Sequence, residues 1–538
     1  MRDFHLPGRS PVYATHGMAA TSMPAATLTA LDVLRDGGNA LDAAVAACAV
    51  LCVIEPQSTG IGGDCFCLYA PAGTNEVIAL NGSGRAPAAA TIDWYERAGM
   101  AALENTSAHS VTVPGAVGAW ERLLAAHGRK GLDELLQPAI RAAAEGCPVH
   151  SRVAFDWRIL EDKLRRSGAH AFLPNGAAPR PGDLFRQPAL AESLRAIARG
   201  GAKAFYEGSL AADMVAALRG RGGLHTEDDF AAGLAAAEFV EPISLNWRGF
   251  EVYQCPPNGQ GLLVLMLLGI LDGLGPAADG PLGATRLHRH IEAARLVYHD
   301  RDTFLADPAH SAVPVAKLLD PAYLAKLNGL IDDTHAMRAM PMAGEAAFEA
   351  PPHRDTVYLC VVDRDGNACS FINSLFQGFG SAILAERSGV MLQNRGFGFR
   401  LQRGHANCIA PFKRPLHTII PGMVMQRRAG GLQPVMPFGV MGGHFQPMGQ
   451  SLFLTNMLDY GLDIQEAIDL PRLFPYLGEV EIERGIPGET CDRLARLGHE
   501  LALIERPHGG GQAIWIDRDR GCLIGGSEPR KDGLALGY

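Results

Sequence analysis

Asp355-Thr356-Val357-Tyr358-Leu359-Cys360-Val361-Val362-Asp363-Arg364-Asp365-Gly366-Asn367-Ala368 marks a change in the character of the chain. Thr356–Val362 is built of β-branched, aromatic and aliphatic residues, the composition of a buried strand. Asp363–Asn367 predicts a turn, with Gly366 where a positive φ is required, and Ala368–Phe376 predicts a second strand. The segment before this hairpin, residues 332–355, has no helical or strand period and contains Pro341, Pro351 and Pro352. A strong hairpin thus begins where an irregular segment stops.

Outward from that junction the pattern divides. In Ala25–Ile54 small and apolar residues recur at helical spacing, broken by Gly37-Gly38-Asn39, which predicts a buried helical hairpin. It leads into the polar, glycine-rich loop Glu55–Asp64 and then Cys65–Tyr69, whose composition suits a buried strand. Residues 130–350 are expected to be mainly helical, with loops at Pro174–Pro181 and Pro256–Gly261, whereas residues after 355 keep a short-strand, glycine-rich character. The whole predicts α/β or α+β architecture with helices covering sheets.

Composition narrows the function classes. With 538 residues, 47% hydrophobic and 20% charged, the chain carries enough apolar surface for a large core and lacks the signature of disorder. A net charge of −9 argues against a partner neutralised through phosphates, so no nucleic acid is expected. Ala43–Ile54 and Leu262–Leu271 fall short of the roughly 20 residues a membrane span needs. The first twenty residues hold no apolar segment behind a basic start, so a cytoplasmic location is expected. Eleven cysteines in so long a chain make no disulfide framework, and Cys48, Cys52, Cys65 and Cys67 sit in apolar runs as core thiols. Gly60-Ile61-Gly62-Gly63 does not complete a dinucleotide fingerprint because Cys65 stands where the next glycine would be. Neither a P-loop nor a G-x-S-x-G nucleophile elbow occurs. His288, His290 and Glu292 lie close together without an H-E-x-x-H pattern, which favours a polar helix face over a metal site.

The Asp355–Ala368 stretch resembles the processing site of the γ-glutamyltransferase (glutathione hydrolase) family. Gly37–Ala44, Glu55–Gly63, Val113-Pro114-Gly115, Pro411–Leu416 and Gly439–Gly443 resemble further family segments in the expected order, so the resemblance spans nearly the whole chain. It implies an α+β N-terminal nucleophile hydrolase, a four-layer αββα sandwich made as an inactive precursor. This precursor would cut itself between Asp355 and Thr356. Residues 1–355 and 356–538 would then be a large and a small fragment that together form one domain. Thr356 would be the nucleophile, with its freed α-amine as base. Ser374 would hydrogen-bond that hydroxyl, the N–H groups of Gly442 and Gly443 would stabilise the oxyanion, and Arg85 would grip the donor's α-carboxylate. No cofactor or metal is implied.

The donor pocket departs from the family. Typical members carry an acidic pair for the glutamyl ammonium where this chain reads Gln393-Asn394-Arg395-Gly396-Phe397-Gly398-Phe399. His417 and Thr418 replace the usual paired serines, and Phe376 stands where an asparagine is expected. Arg395, His417 and Thr418 are therefore expected to bind substrate, together with Arg85. The expected activity is a self-processing amidohydrolase or acyltransferase acting on small molecules: γ-glutamyl, glutathione-like amides or related small carboxylate-bearing amides. Oxamate amidohydrolase-like and cephalosporin acylase-like reactions stay open within the superfamily. A processed but idle binding protein is the non-enzymatic alternative. No membrane partner is expected; the fragments should associate, and a higher oligomer stays open.

Overall fold

The hairpin after Asp355 lies at the centre of a seven-stranded sheet, and a second seven-stranded sheet packs on it. The computed structural model describes His5, residues 8–337 and residues 355–538. Pro341, Pro351 and Pro352, read above as part of an irregular segment, lie outside the described residues.

The two large sheets take from the first half of the chain β1 (Val12–Ala14), β2 (Met18–Thr21), β3 (Asp64–Ala70), β4 (Ile78–Gly82), β5 (Glu238–Val240), β6 (Ile243–Trp247) and β7 (Phe250–Gln254). After the junction come β8 (Val357–Val362), β9 (Ala368–Ser374), β10 (Gly422–Arg428), β11 (Gly431–Met441), β12 (Gly510–Asp517), β13 (Cys522–Ser527) and β14 (Leu534–Gly537). One sheet runs β14-β2-β8-β9-β3-β4-β5 and the other β1-β13-β12-β11-β10-β7-β6, with antiparallel neighbours throughout. Each sheet interleaves strands from before and after residue 355.

Strand β8 shows why the layers stack as they do. Every residue in it is buried, because its side chains alternate between two apolar layers. Val357, Leu359 and Val361 face a helical layer that includes α1 (Pro24–Arg35) and α2 (Ala40–Ile54), while Tyr358, Cys360 and Val362 face the second sheet. On the far side of that second sheet, Val252, Val424, Phe438 and Val440 pack against α3 (Leu262–Leu274), α4 (Ala284–Phe304) and α5 (Gln446–Leu458). The order is helix, sheet, sheet, helix: the four-layer αββα sandwich.

The helical hairpin forms as expected, and its break is chemically defined. Asn39 accepts from Leu41 N and Asp42 N, and Asp42 accepts from Asn39 N, a reciprocal cap that starts α2. All of α2 is buried, as its all-round apolar sequence demands. Two expectations need correction. Residues 238–254, within the stretch expected to be mainly helical, form β5–β7; alternation in Ile243–Trp247 and the Arg248-Gly249 turn carry the strand signal there. The second strand of the central hairpin ends at Ser374, because Phe376 takes a φ of 80° and leaves the ladder. All eleven cysteines are free thiols. Among the described residues no helix is long and apolar enough to cross a membrane.

Candidate active site

Hairpin register builds the centre of the site. Val357 pairs with Asn373, so one further step sets Thr356 opposite Ser374, and Ser374 pairs in turn with Asp64 on β3. The hydroxyls of Thr356 and Ser374 are 2.9 Å apart. Ser374 Oγ also accepts from Phe376 N at 2.9 Å, which fixes it from the loop side. Thr356 has a φ of 135°, a region that β-branched residues rarely enter. Asp355 and Thr356 are both buried, so the nucleophile candidate is shielded while the chain is continuous.

Asp64 closes the row. Its Oδ1 accepts from Gly84 N and Gly115 N, both at 3.0 Å, and from Gln393 Nε2 at 2.8 Å, while Oδ2 lies 3.0 Å from His417 Nε2. Ile419 N points at His417 Nδ1, which leaves Nε2 as the protonated nitrogen that donates to Asp64. Burial, with the Arg395 cation adding to it, pushes the His417 pKa down to about 3, so the ring is neutral at pH 7. The only advance sign of Asp64 was a carboxylate closing a glycine-rich loop just before a buried strand.

Arg395 is the unusual charge of the site. It is completely buried, with its guanidinium 4.1 Å from the centre of the Phe376 ring. Its Nη1 donates to Thr418 Oγ1 at 2.8 Å, but Nε and Nη2 find no hydrogen-bond partner. Burial lowers its pKa to about 9, which still leaves it cationic at neutral pH. A buried guanidinium with two unmet donors calls for an anion.

The glycine pair lies at the turn from β11 into α5. Gly442 and Gly443 have φ of 127° and 58°, and a Cβ on Gly442 would come within 2.8 Å of Gly509 Cα. Gln260 ties this turn to the donor pocket by donating to Thr418 O and Gly443 O, each at 2.9 Å. The ring of the next residue, His444, stands edge-on to Phe376 at 6.5 Å. The structure therefore gathers Thr356, Ser374, Phe376, Arg395, Thr418, His417 and the Gly442–Gly443 turn.

Arg85 stands apart from this group. Its guanidinium donates to Phe412 O at 3.0 Å and lies 4.0 Å from Glu238, with 28% of the side chain exposed. Among the described residues no contact joins it to Thr356, Ser374 or Arg395. Gly84 N is committed to Asp64, and from that anchor the Arg85 side chain runs outward. Of the helical His/Glu group, His290 turns away to Arg286 O, while His288 and Glu292 meet His499. His288 Nδ1 lies 2.8 Å from His499 Nε2, Glu292 is engaged by Arg295 and Met337 N, both at 2.8 Å, and His499 Nδ1 is buried without a hydrogen-bond partner.

A second cluster surrounds Asp355, on the N-terminal side of Thr356, and was not anticipated. Arg506 bonds Asp355 and also Asp156 Oδ1, the latter at 2.9 Å. Arg152 and Lys531 also face Asp156, at 3.0 and 3.5 Å, and these cations hold its carboxyl down at about 2 against the opposing effect of burial. Their sequence separations, from Arg152 to Lys531, leave no local pattern to read.

The family model described as Gamma-glutamyltranspeptidase matches residues 26–538. The chain is 38% identical over 520 residues to the glutathione hydrolase-like YwrD proenzyme of Bacillus subtilis, covering 94% of this chain and 95% of that protein. It is 36% identical over 545 residues to the oxamate amidohydrolase proenzyme of Klebsiella pneumoniae, covering 98% and 99%. The crystal structure of a cephalosporin acylase from Bacillus halodurans superposes with a TM-score of 0.91 at 37% identity, covering 100% and 99%. With its αββα layers and a match over nearly its full length, the chain belongs to the gamma-glutamyltranspeptidase family of N-terminal nucleophile hydrolases.

Proposed function

We propose that Thr356 carries both reactions of this amidohydrolase. In the precursor its hydroxyl attacks the Asp355 carbonyl, the C–N bond breaks as the nitrogen takes the proton, and water opens the resulting ester. This leaves a carboxylate on Asp355 and an α-amine on Thr356, whose ordinary pKa of about 7.7–8.0 suits a base near neutral pH. In the matured enzyme Thr356 Oγ1 attacks the substrate amide while that amine takes the hydroxyl proton. The Gly442 and Gly443 N–H groups receive the oxyanion, the substrate amine leaves with the proton, and water releases the acyl group from Thr356.

The acyl group we propose is small, bears a carboxylate and lacks an ammonium. The observation that carries this is Arg395, buried with two unmet N–H donors beside Phe376, in a pocket where the only carboxylate described, Asp64, is already met by four donors. Glu55, the other nearby acid in the glycine-rich loop, is taken by Ser22 at 2.6 Å and Lys531 at 3.8 Å. An ammonium brought beside Arg395 would meet a like charge, whereas a carboxylate would complete its hydrogen bonds. Oxamate, named for the Klebsiella relative, has this chemistry: a carboxylate next to the amide and no ammonium. Side-by-side kinetics on oxamate, glutaryl anilide and γ-glutamyl anilide test the reading. An ammonium-free donor should equal or exceed the γ-glutamyl donor in kcat/KM, and a strong γ-glutamyl preference overturns it.

A further inference from the structure

We infer that Arg506 and Asp355 form a positioning clamp for self-cleavage, holding the carbonyl side of the scissile bond while Ser374 holds the hydroxyl side. The inference rests on the assignment of the cut to the Asp355–Thr356 bond.

Asp355 is buried at the end of the large fragment, and its side chain is fixed on two sides. Arg506 donates to Oδ1 from one side. On the other, a Cβ on Gly378 would lie 3.2 Å from Oδ2, so the carboxylate is lodged against that glycine. Gly378 belongs to a loop in which Phe376, Phe379 and Ala382 all have positive φ, and Lys163 straps this loop by donating to Gly378 O at 2.7 Å and Gly380 O at 2.6 Å. Burial lowers the Lys163 pKa to about 8, and the nearby Asp355 carboxylate favours its charged form. Arg506 is itself anchored by Asp156, which Arg152 and Lys531 flank.

These anchors bracket the residue that must react. For Thr356 Oγ1 to attack the carbonyl carbon of Asp355, rotation about both N–Cα and Cα–Cβ of Thr356 has to be set. Ser374 sets the second through the 2.9 Å hydroxyl contact. The first is the φ of 135°, a torsion defined by the Asp355 carbonyl carbon and therefore by where Asp355 is pinned. Cutting the bond removes that torsion, so the strain it holds is released by the reaction. In that step the Thr356 Oγ1–carbon bond forms, the carbon–nitrogen bond breaks, and the hydroxyl proton ends on the departing nitrogen. Water then hydrolyses the ester. Arg506 acts on the bond through its hydrogen bond to the Asp355 side chain, which makes it a positioning residue.

The test follows the cleavage rate of full-length chains made by in vitro translation, sampled over time by gel and intact mass. Asp355→Asn keeps the shape and removes the charge; Arg506→Gln removes the other half of the pair. Each should slow cleavage roughly 10- to 100-fold, the scale of a small misplacement of reacting atoms. The double variant should be no slower than the slower single one, as expected for a shared contact. Arg506→Lys should recover part of the rate. Thermal unfolding of the uncut chains separates positioning from folding: the clamp predicts slow cutting with an essentially unchanged midpoint. Cleavage of Asp355→Asn at the wild-type rate overturns the inference, as does a loss of rate matched by a collapse of the midpoint. A Thr356→Ala chain that still cuts refutes the cleavage-site assignment instead, which keeps the two failures distinct.

Discussion

At Thr356 a β-branched side chain sits at a φ of 135°, an arrangement costing about 1–3 kcal/mol, and such costs persist where surrounding contacts enforce them. In the proposed mechanism the residue serves through its hydroxyl, so Thr356→Ala should remain one uncut, inactive chain. Thr356→Ser should cut, but more slowly, since a primary hydroxyl rotates more freely than that of threonine. Intact-mass analysis over days decides both, and normal maturation of the alanine variant would disprove the assignment. Arg395 makes a different kind of prediction. A hydrogen bond to a charged group contributes about 1.5–3 kcal/mol, so Arg395→Gln should lower kcat/KM on carboxylate-bearing amides by roughly 10- to 100-fold. Its effect on amides without a carboxylate should be small. The Thr356–Ser374 pair was legible because an antiparallel hairpin converts a separation of 18 residues into a cross-strand contact. The contact of Arg395 with Thr418 and the stack on Phe376 were not, since they depend on how three loops converge.

Elements place these residues, and the turn from β11 into α5 is the most constrained of them. Both glycines there have positive φ, and the space beside Gly442 is filled by the backbone of Gly509. Gly442→Val should therefore displace the turn and remove an oxyanion donor, lowering kcat by roughly 10²–10³. Single-turnover kinetics on the matured enzyme would read this, and near-normal kcat would remove the turn from the mechanism. Elements whose signal is local were legible: the Asn39 cap, the α1–α2 break and the Gly366 turn each rest on residues within a few positions. The β5–β7 strands were not recognised within a helix-rich region, although they complete the edges of both sheets. Arg85 illustrates the same limit from the other side. A motif located the residue, but the direction of its side chain is set by Phe412 and Glu238, far away in sequence.

At the scale of the molecule, a cut between Asp355 and Thr356 would divide both sheets. Strand β8, after that junction, lies between β2, before it, and β9, and β10 lies between β7, before the junction, and β11. Fragments 1–355 and 356–538 should consequently stay associated after cleavage without any disulfide, all eleven cysteines being free. They should separate in denaturant alone, and separation by reductant under native conditions would contradict the interleaved sheets. Stability should also fall in acid. Burial lowers the pKa of His225 to about 4 and of His290, His417 and His499 to about 3, against about 6.5 for an unfolded histidine. As pH falls below 6.5 the unfolded chain takes up protons that the folded chain refuses, so stability is lost down to the folded pKa values. Glu55 works the other way. Burial raises it to about 7, so the folded chain holds an extra proton between about 4.5 and 7, which offsets about one of these histidines over that range. Asp156 and Glu528, both held at about 2 by neighbouring cations, extend the loss below pH 4, where unfolded carboxylates protonate first. The urea midpoint of the matured protein should therefore drop steadily from pH 7 to pH 4 and more steeply below it. A midpoint that stays level between pH 6.5 and pH 4 would mean that these histidines are charged in the folded protein, and the neutral His417 that donates to Asp64 would have to be abandoned.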